Sequence, residues 1–291
     1  MNPRISIVMP VWNGERYLRE AVESILLRQS FADFEFIAVD DGSADSTGEI
    51  LESYTDPRLR VFRRPHGGLV EALNFGVAVA RAQWIARQDA DDVSLPGRLE
   101  SLWSARESKS HPIAIHSDVE RVVENGAHVP SAALPKSRAL LALKMCFQCP
   151  INHSTVMFHK SAFERAGGYL QQEYYAEDFG LWGRMLELGS FIGLKAKLVR
   201  YRVHSASLSQ VFGDAQREVT HAMALRHCQK FLDLKDAEAR RAFEILAQSP
   251  RDRGWQQWQW FLMRCAPRAR WKSPEMFAWL ASQTARLLFS R

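Results

Sequence analysis

The strongest constraint on this chain is an alternation in its first half: short, nearly continuous apolar runs, each followed by an amphipathic stretch. Ile5–Met9, Phe34–Val39, Leu59–Phe62 and Trp84–Arg87 read as strands. Between them, Glu15–Arg28 sets Leu18, Val22, Ile25 and Leu26 on one helical face, and Ser46–Tyr54 and Leu69–Ala80 also read as helices. Strands without a polar face must be covered on both sides, and crossover helices supply that cover. The pattern therefore predicts an α/β fold, with a mostly parallel central sheet flanked by helices. Asp40-Asp41-Gly42-Ser43 closes the second strand and Asp89-Ala90-Asp91-Asp92 the fourth. Ligands bind at the carboxyl ends of parallel strands, so both acidic stretches fall where a site is expected. Crowded carboxylates are costly unless neutralised, and the pattern asks for a cation.

The later chain is less regular. Pro96 stands where a helix carrying Leu99 and Leu102 would open. Ile113–Ile115 and Val119–Val123 read as strands, with Asn125-Gly126 as a hairpin turn. A helix is expected from Ser161 into Gly167-Gly168-Tyr169, another over Asp178–Leu188, and a strand over Phe191–Tyr201. After Ser205 the pattern is helical, with breaks near Pro250, Pro267 and Pro274, and it forms a C-terminal helical extension. Charge divides the same way. Of 38 Lys+Arg and 33 Asp+Glu, 14 and 8 lie after Ser205, so the basic excess sits wholly in the tail, along with five of nine tryptophans.

Composition excludes several classes. With 46% hydrophobic and 24% charged residues the chain is not disordered, and no apolar run reaches the roughly 18–20 residues that span a bilayer. The start has no secretory pattern, so a mature cytoplasmic protein is expected, at most peripheral on the inner face of the cell membrane. Cys146 and Cys149 have CxxC spacing, but no second pair stands at zinc-site spacing. They read as a pair of buried thiols, and with Cys228 and Cys265 they are too few and scattered for a disulfide framework. The turn after the first strand carries only Gly14, not GxGxxG, and there is no Walker A sequence.

Beyond the two acidic stretches, the chain gives in order Pro10-Val-Trp-Asn-Gly-Glu15, Ala72-Leu-Asn-Phe-Gly76, Asn152-His-Ser-Thr155, Gly167-Gly-Tyr169, Glu177-Asp178 with Leu181-Trp-Gly-Arg184, and Tyr201-Arg-Val-His204. This ordered set resembles the glycosyltransferase family 2 enzymes of GT-A fold, over roughly residues 4–208. The resemblance implies a catalytic domain over 1–208, with a nucleotide-binding half (1–107) and an acceptor half (108–208), followed by the helical extension 209–291. It implies an inverting, metal-dependent transfer of sugar from a nucleotide diphosphate donor to a hydroxyl of a saccharide or lipid-linked acceptor. Cell-surface polysaccharide or lipopolysaccharide synthesis is the setting it suggests.

The same resemblance distributes the roles. Pro10, Val11, Asn13, Glu15, Asp41, Gly68, Asp89 and Ala90 would hold the donor, with Asp41 accepting from the base and Asp89 meeting the ribose. Asp91, Asp92 and His204 would hold Mn2+ or Mg2+, whose task is to stabilise the departing diphosphate. Asp178, beside Glu177, would be the catalytic base. Trp182 would offer an apolar wall to the acceptor, and His153 would border the acceptor side. UDP-sugars are the favoured donors, with guanosine and thymidine donors open. Gln88, where relatives carry an apolar residue, departs from the pattern, as does Arg64-Pro-His-Gly-Gly68, which lacks an asparagine common there.

Rival readings remain at this stage. A nucleotidyl- or phosphotransferase could use the same acidic strand ends, but Val11-Trp-Asn-Gly14 has no basic residue. A non-catalytic, transferase-like binding subunit would not need the intact acids. The tail's stripes (Trp255, Trp258 and Leu262; Met276, Leu280, Thr284 and Leu287) read as helices packed on the catalytic domain or a second copy, giving a homodimer. Their alternative is a basic aromatic face on an anionic membrane; no motif supports nucleic acid.

Overall fold

The structure is a computed structural model and describes residues 2–108, 110–124, 126–130, 134–204, 213–248, 252 and 254–289. Its residues group into two compact units: Met1–Leu134 with Ile151–Gly213, and Pro135–Pro150 with Asp214–Arg291. The expected boundary at 208/209 lies outside the described residues, as do Asn125 and Pro250.

The first unit is built on one sheet. Strands β1 (Ile5–Val11), β2 (Phe34–Asp40), β3 (Leu59–Arg63) and β4 (Trp84–Arg87) lie parallel in the order β3-β2-β1-β4. β1 and β2 are buried along their whole length, as their unbroken apolar runs require. Helices α1 (Glu15–Leu26), α2 (Thr47–Glu52) and α3 (Leu69–Ala78) make the crossovers. Leu18, Val22, Ile25 and Leu26 of α1 join the core with Ile5, Ile7, Met9 and Phe36. α3 sits close on β1 because position 76 is glycine: a Cβ there would come within 2.4 Å of Val8 Cγ1.

The second half of the sheet is mixed. β8 (Met157–His159) runs antiparallel between β4 and β6 (Ala114–Val123), and β6 pairs parallel with β9 (Phe191–Val203). β5 (Val93–Ser94) and β7 (His128–Val129) add antiparallel edges to β9 and β6. The two strands expected over 113–123 are one strand, with irregular register against β9 at Ser117, Asp118 and Val119. β5 and β8 escape sequence reading because two- and three-residue strands carry no period. Helices α4 (Arg98–Ala105), α6 (Lys160–Arg165) and α7 (Glu177–Leu188) complete this unit. Pro96 precedes α4 by two residues, and Gly97, at φ 78°, makes the entry turn.

In the second unit the two expected stripes are only partly buried. Trp258, Met276 and Leu280 are buried, and Trp258 Nε1 donates to Thr284 Oγ1 at 2.9 Å. Trp255 is exposed and Leu262 half-buried, while Phe261, outside the expected stripe, is buried. Pro274 opens the helix Pro274–Phe289. A further helix, α5 (Arg138–Met145), belongs here. Its N-cap Ser137 accepts from Leu140 N, while Glu275 takes the Lys136 and Ser137 N–H groups at 3.1 and 2.7 Å. Arg138 lies 3.8 Å over the Trp271 ring, and His227 Nε2 is 3.0 Å from Ala142 O. Ser137 and the run of strong helix formers after it are local signals that the sequence reading passed over; only the helix's packing partners are distant in sequence. Cys146, Cys228 and Cys265 are buried, as expected for thiols in a core, and Cys149, expected to be buried with Cys146, is half-buried. Burial pushes the Cys146 thiol well up.

His116, on β6, is fully buried, and among the described residues neither ring nitrogen has a hydrogen-bond partner. Burial lowers its pKa to about 4. The unfolded chain takes up this proton near pH 6.5 and the folded chain only near 4, so stability falls as pH drops through that window. The loss reaches about 3 kcal/mol. Urea midpoints at pH 7.5 and 5 check this: His116→Leu is expected to flatten the acid loss, and a wild-type-minus-variant difference equal at both pH values would refute it.

Candidate functional site

The ends of β1, β2 and β4 are neighbours, so the loops following them converge. Val11 pairs with Asp40 and Val8 with Arg87 in register, and Asp41 N donates to Val11 O at 2.9 Å. The first and second loops are laced together. Asn13 N donates to Ser43 Oγ, Gly14 N to Thr47 Oγ1, and Glu15 N to Asp45 Oδ2; Asn13 Oδ1 and Glu15 Oε2 accept from Ala44 N and Ser46 N. Asn13 holds φ 50°, within the small left-handed region that asparagine tolerates. Pro10, Val11, Asn13, Glu15 and Asp41 are therefore brought together, with Asn13 and Glu15 serving the loop through these bonds.

Asp41 anchors the loop after β3. Its Oδ1 accepts from Gly67 N at 2.9 Å, its Oδ2 from Gly68 N at 2.9 Å, and His66 Nδ1 lies 2.8 Å from Oδ2. Gly68 at φ 90° opens α3. His66, within the segment Arg64–Gly68, stacks on Trp12 with centroids 4.6 Å apart. More than half of the Trp12 side surface is exposed, which makes this stack an open aromatic face beside Asp41.

The acidic turn after β4 is neutralised largely from within. Arg87 Nη2 meets Asp89 Oδ1 at 2.5 Å, and Ser154 Oγ bonds Asp89 Oδ2 while accepting from Asp89 N. Burial pushes the Asp89 carboxyl up, but Arg87 first, with Ser154, outweighs it and holds the group below its ordinary range. Arg202 N donates to Asp92 Oδ1 and Arg202 Nε to Asp91 O, both at 2.9 Å, with Arg202 Nη2 on Glu20 at 2.7 Å. His204 Nε2 is 2.8 Å from Asp91 Oδ2. The short strand β5 explains this meeting across the chain: pairing Val93 with Arg200 and Ser94 with Val199 carries the end of β9 to the turn. Ala90 faces the first loop; a Cβ on Gly14 would lie 3.8 Å from its own.

Asp92 is buried, its Oδ2 has no hydrogen-bond partner among the described residues, and burial with Asp91 and Asp89 nearby raises its pKa well above normal. An orphaned carboxylate oxygen beside the Asp91–His204 pair fits a hard divalent ion. No group of three or more His, Cys, Asp or Glu side chains forms a ready cage among the described residues. The donors present suit an ion held by few protein ligands and completed by phosphate oxygens and water.

Glu177 and Asp178 open α7 after Tyr175, whose φ of 76° is a strained value for a tyrosine. Glu177 is buried with Oε2 unpartnered among the described residues, and burial followed by Asp178 raises its pKa to about 8. Asp178 is half-buried; burial chiefly, with Asp89 nearby, raises it to about 6, while Oδ1 accepts from Phe179 N at 2.6 Å. The motifs around them are braces. Asn74 exchanges hydrogen bonds with the Tyr169 backbone, and Arg184 holds Glu173 and the Gly168 carbonyl. His153 pairs with the Tyr169 hydroxyl at 2.7 Å and is kept neutral, chiefly by burial and then by Arg87. Trp182 is wholly buried against Phe158, His153 and Phe191, so the expectation that it walls an acceptor is corrected: it is core. Arg63 lies 3.5 Å from Asp40 and Arg64 over the Phe75 ring. Sequence reading missed Arg87, Ser154, Arg202 and His66, whose roles depend on contacts from other elements.

A mostly parallel sheet with acidic turns at its carboxyl edge and a mixed second half is the architecture of a GT-A nucleotide-diphospho-sugar transferase. The chain belongs to glycosyl transferase family 2, which matches residues 6–165. It is 27% identical over 79% of its length to an uncharacterised glycosyltransferase of Haemophilus influenzae, spanning 75% of that protein. It is 32% identical over 70% of its length to the O-antigen biosynthesis glycosyltransferase WbnJ of Escherichia coli, spanning 81% of it. Some relatives are longer: the chain spans 37% of one from Rickettsia felis. Among solved structures, S. aureus TarS 1–349 with UDP-GlcNAc superposes with TM-score 0.65 at 20% identity, covering 82% of this chain and 70% of that one. The mannosyltransferase PcManGT of Pyrobaculum calidifontis, with GDP-Man and Mn2+, gives 0.56 at 18% identity, covering 100% of this chain and 88% of that one. No helix among the described residues is long and apolar enough to cross a membrane.

Proposed function

We propose that this glycosyltransferase is inverting and metal-dependent, moving a sugar from a nucleotide diphosphate to a hydroxyl of a saccharide or lipid-linked acceptor. The observation that carries the reading is the placement of the adjacent acids at the head of α7: Glu177 is buried with Oε2 unpartnered among the described residues, and Asp178 is half-buried with only Oδ1 held, by Phe179 N. Burial raises both carboxyls above the ordinary range, which suits a group that must take up a proton. Asp178 takes the proton of the acceptor hydroxyl. The freed oxygen lone pair forms the new bond to the anomeric carbon from the face opposite the diphosphate. The old carbon–oxygen bond breaks, its electron pair leaves with the nucleoside diphosphate, and the anomeric centre inverts. Asp178 Oδ1 is held by Phe179 N, which leaves Oδ2 for that proton.

Donor placement follows the strand ends. Trp12 and His66 offer a face on which a base can stack, with Asp41 beside it. Asp89, fixed by Arg87 and Ser154, is set for the ribose hydroxyls. Asp91, Asp92 and His204 would hold Mn2+ or Mg2+, which when bound supplies Lewis-acid stabilisation of the departing diphosphate. The WbnJ likeness supports a setting in surface polysaccharide synthesis, and the TarS complex supports a UDP-linked donor.

Thermal shifts with UDP, GDP and dTDP, each with and without Mn2+, test the reading. Ligand at about 100 times its Kd adds about 2.7 kcal/mol to the folded state, so one nucleotide is expected to stand out, and by a larger shift with metal than without. Equal, negligible shifts for all three would sink the donor assignment.

A further inference from the structure

The acidic turn is tied from beneath by Gln88, the residue that departs from the family pattern. Its side chain is fully buried. Nε2 donates to Asp89 O at 2.9 Å and to Asp92 O at 2.8 Å. Oε1 accepts from Ser94 Oγ at 2.7 Å and Arg98 Nη1 at 3.1 Å. Both N–H groups and both acceptor directions of the amide are thus used. The reverse orientation would set the NH2 group against the donors of Arg98 and the oxygen against two carbonyls, so the amide has one way to sit.

Arg98, also wholly buried, fixes the far side. Nη1 donates to Ser94 Oγ at 2.7 Å, and Nη2 to Arg87 O and Ser154 O, both at 2.6 Å. Arg87 and Ser154 are the two groups that grip the Asp89 carboxylate. The network therefore holds the first and last carbonyls of the turn and the two groups that grip Asp89. Asp91 is left outside, with a third of its side chain exposed. A four-residue turn dense in like charge resists closing on itself. Drawing its first and last carbonyls onto one nitrogen holds it closed against that repulsion.

We infer that Gln88 is a positioning residue for the donor site: its amide, oriented by Arg98 and Ser94, sets the Asp89–Asp92 turn in the shape that receives the diphosphate and its metal. The inference rests on the donor-site reading above. Two variants separate its halves. Gln88→Glu keeps acceptors for Arg98 and Ser94 but has no N–H for the turn; Gln88→Leu keeps the volume and loses both sides.

Amide exchange of peptides covering residues 89–95 in metal-free protein reads the turn directly. UDP affinity with and without Mn2+ reads its consequence. Both variants are expected to exchange at least about tenfold faster over 89–95, with residues 34–40 unchanged. Kd for UDP in Mn2+ is expected to rise about 10–100-fold, the usual cost of losing the groups that orient a metal's ligands, and Kd without metal to stay within about twofold. Unchanged exchange over 89–95 would overturn the role, and so would exchange rising equally over 34–40, which marks general loss of packing. Should Gln88→Leu not fold, Gln88→Glu carries the test. Wild-type UDP binding that ignores Mn2+ would overturn the metal reading instead, and the exchange result alone would then decide Gln88.

Discussion

Asp178→Asn is expected to lower sugar transfer by about 10²–10⁴-fold, the usual worth of a positioned general base, with donor affinity near wild type. The substitution keeps the shape and the Phe179 N contact, since an amide oxygen accepts that bond as a carboxylate does. It removes only the capacity to take a proton. Single-turnover transfer at saturating donor, with UDP affinity measured separately, gives the answer. A parallel fall in both would make Asp178 a donor ligand and send the search for the base elsewhere.

The same pair sets a pH signature. Asp178 must be ionised, so transfer is expected to rise from acid through about pH 6. Glu177 holds its proton until about pH 8, above which a second buried charge forms beside the base. A bell-shaped profile follows, its two limbs belonging to the pair rather than to either residue alone. Glu177→Gln mimics the protonated acid and is expected to keep activity while losing the alkaline limb. The sign for stability is also determined. Glu177 binds its proton more tightly folded than unfolded, so its contribution is full below about pH 4.5 and lost as pH rises through about 8. Glu177→Gln should therefore raise Tm more at pH 8 than at pH 5.

Legibility in the sequence followed the range of the interactions. β1 to β4 and the helices between them could be read because burial on both faces writes an unbroken apolar run, and one-sided burial writes a helical stripe. The family resemblance then carried the fold beyond them, to a sheet whose second half is mixed. What stayed hidden was β5, whose two residues matter only because β9 pairs with them, and the packing of α5, whose N-cap Ser137 is local but whose partners lie in the tail. The site divides likewise. Acids at strand ends announce themselves, because water-loving groups interrupt an apolar run. The cations that hold them do not, since Arg87 sits inside a strand and Arg202 lies 110 residues beyond Asp92. The plea for a cation that crowded carboxylates make is thus answered in part by the chain itself. Trp182 shows the converse error, because an aromatic beside catalytic acids is core whenever its helix turns that face inward.

Those internal cations decide what the acidic turn can still bind. Asp89 is engaged on both oxygens, by Arg87 and Ser154, and Asp92 Oδ1 by Arg202 N. Asp91 offers the remaining accessible carboxylate, shared with His204 at 2.8 Å. Asp91→Asn is accordingly expected to weaken Mn2+-dependent UDP binding by at least about 100-fold, which is about 3 kcal/mol. The fold should survive, because the turn is held by the Asp91 carbonyl on Arg202 and by Gln88 beneath, and neither uses the side chain replaced. His204→Ala, which leaves the Asp91 carboxylate in place, is expected to cost less than Asp91→Asn. Calorimetric titration of UDP into each variant, with Mn2+ and with chelator, ranks them. Full metal-dependent binding by Asp91→Asn would remove Asp91 from the ligand set. Loss of metal-free binding in parallel would place its carboxylate on the nucleotide itself, and the ion would then have to be held by Asp92 and His204.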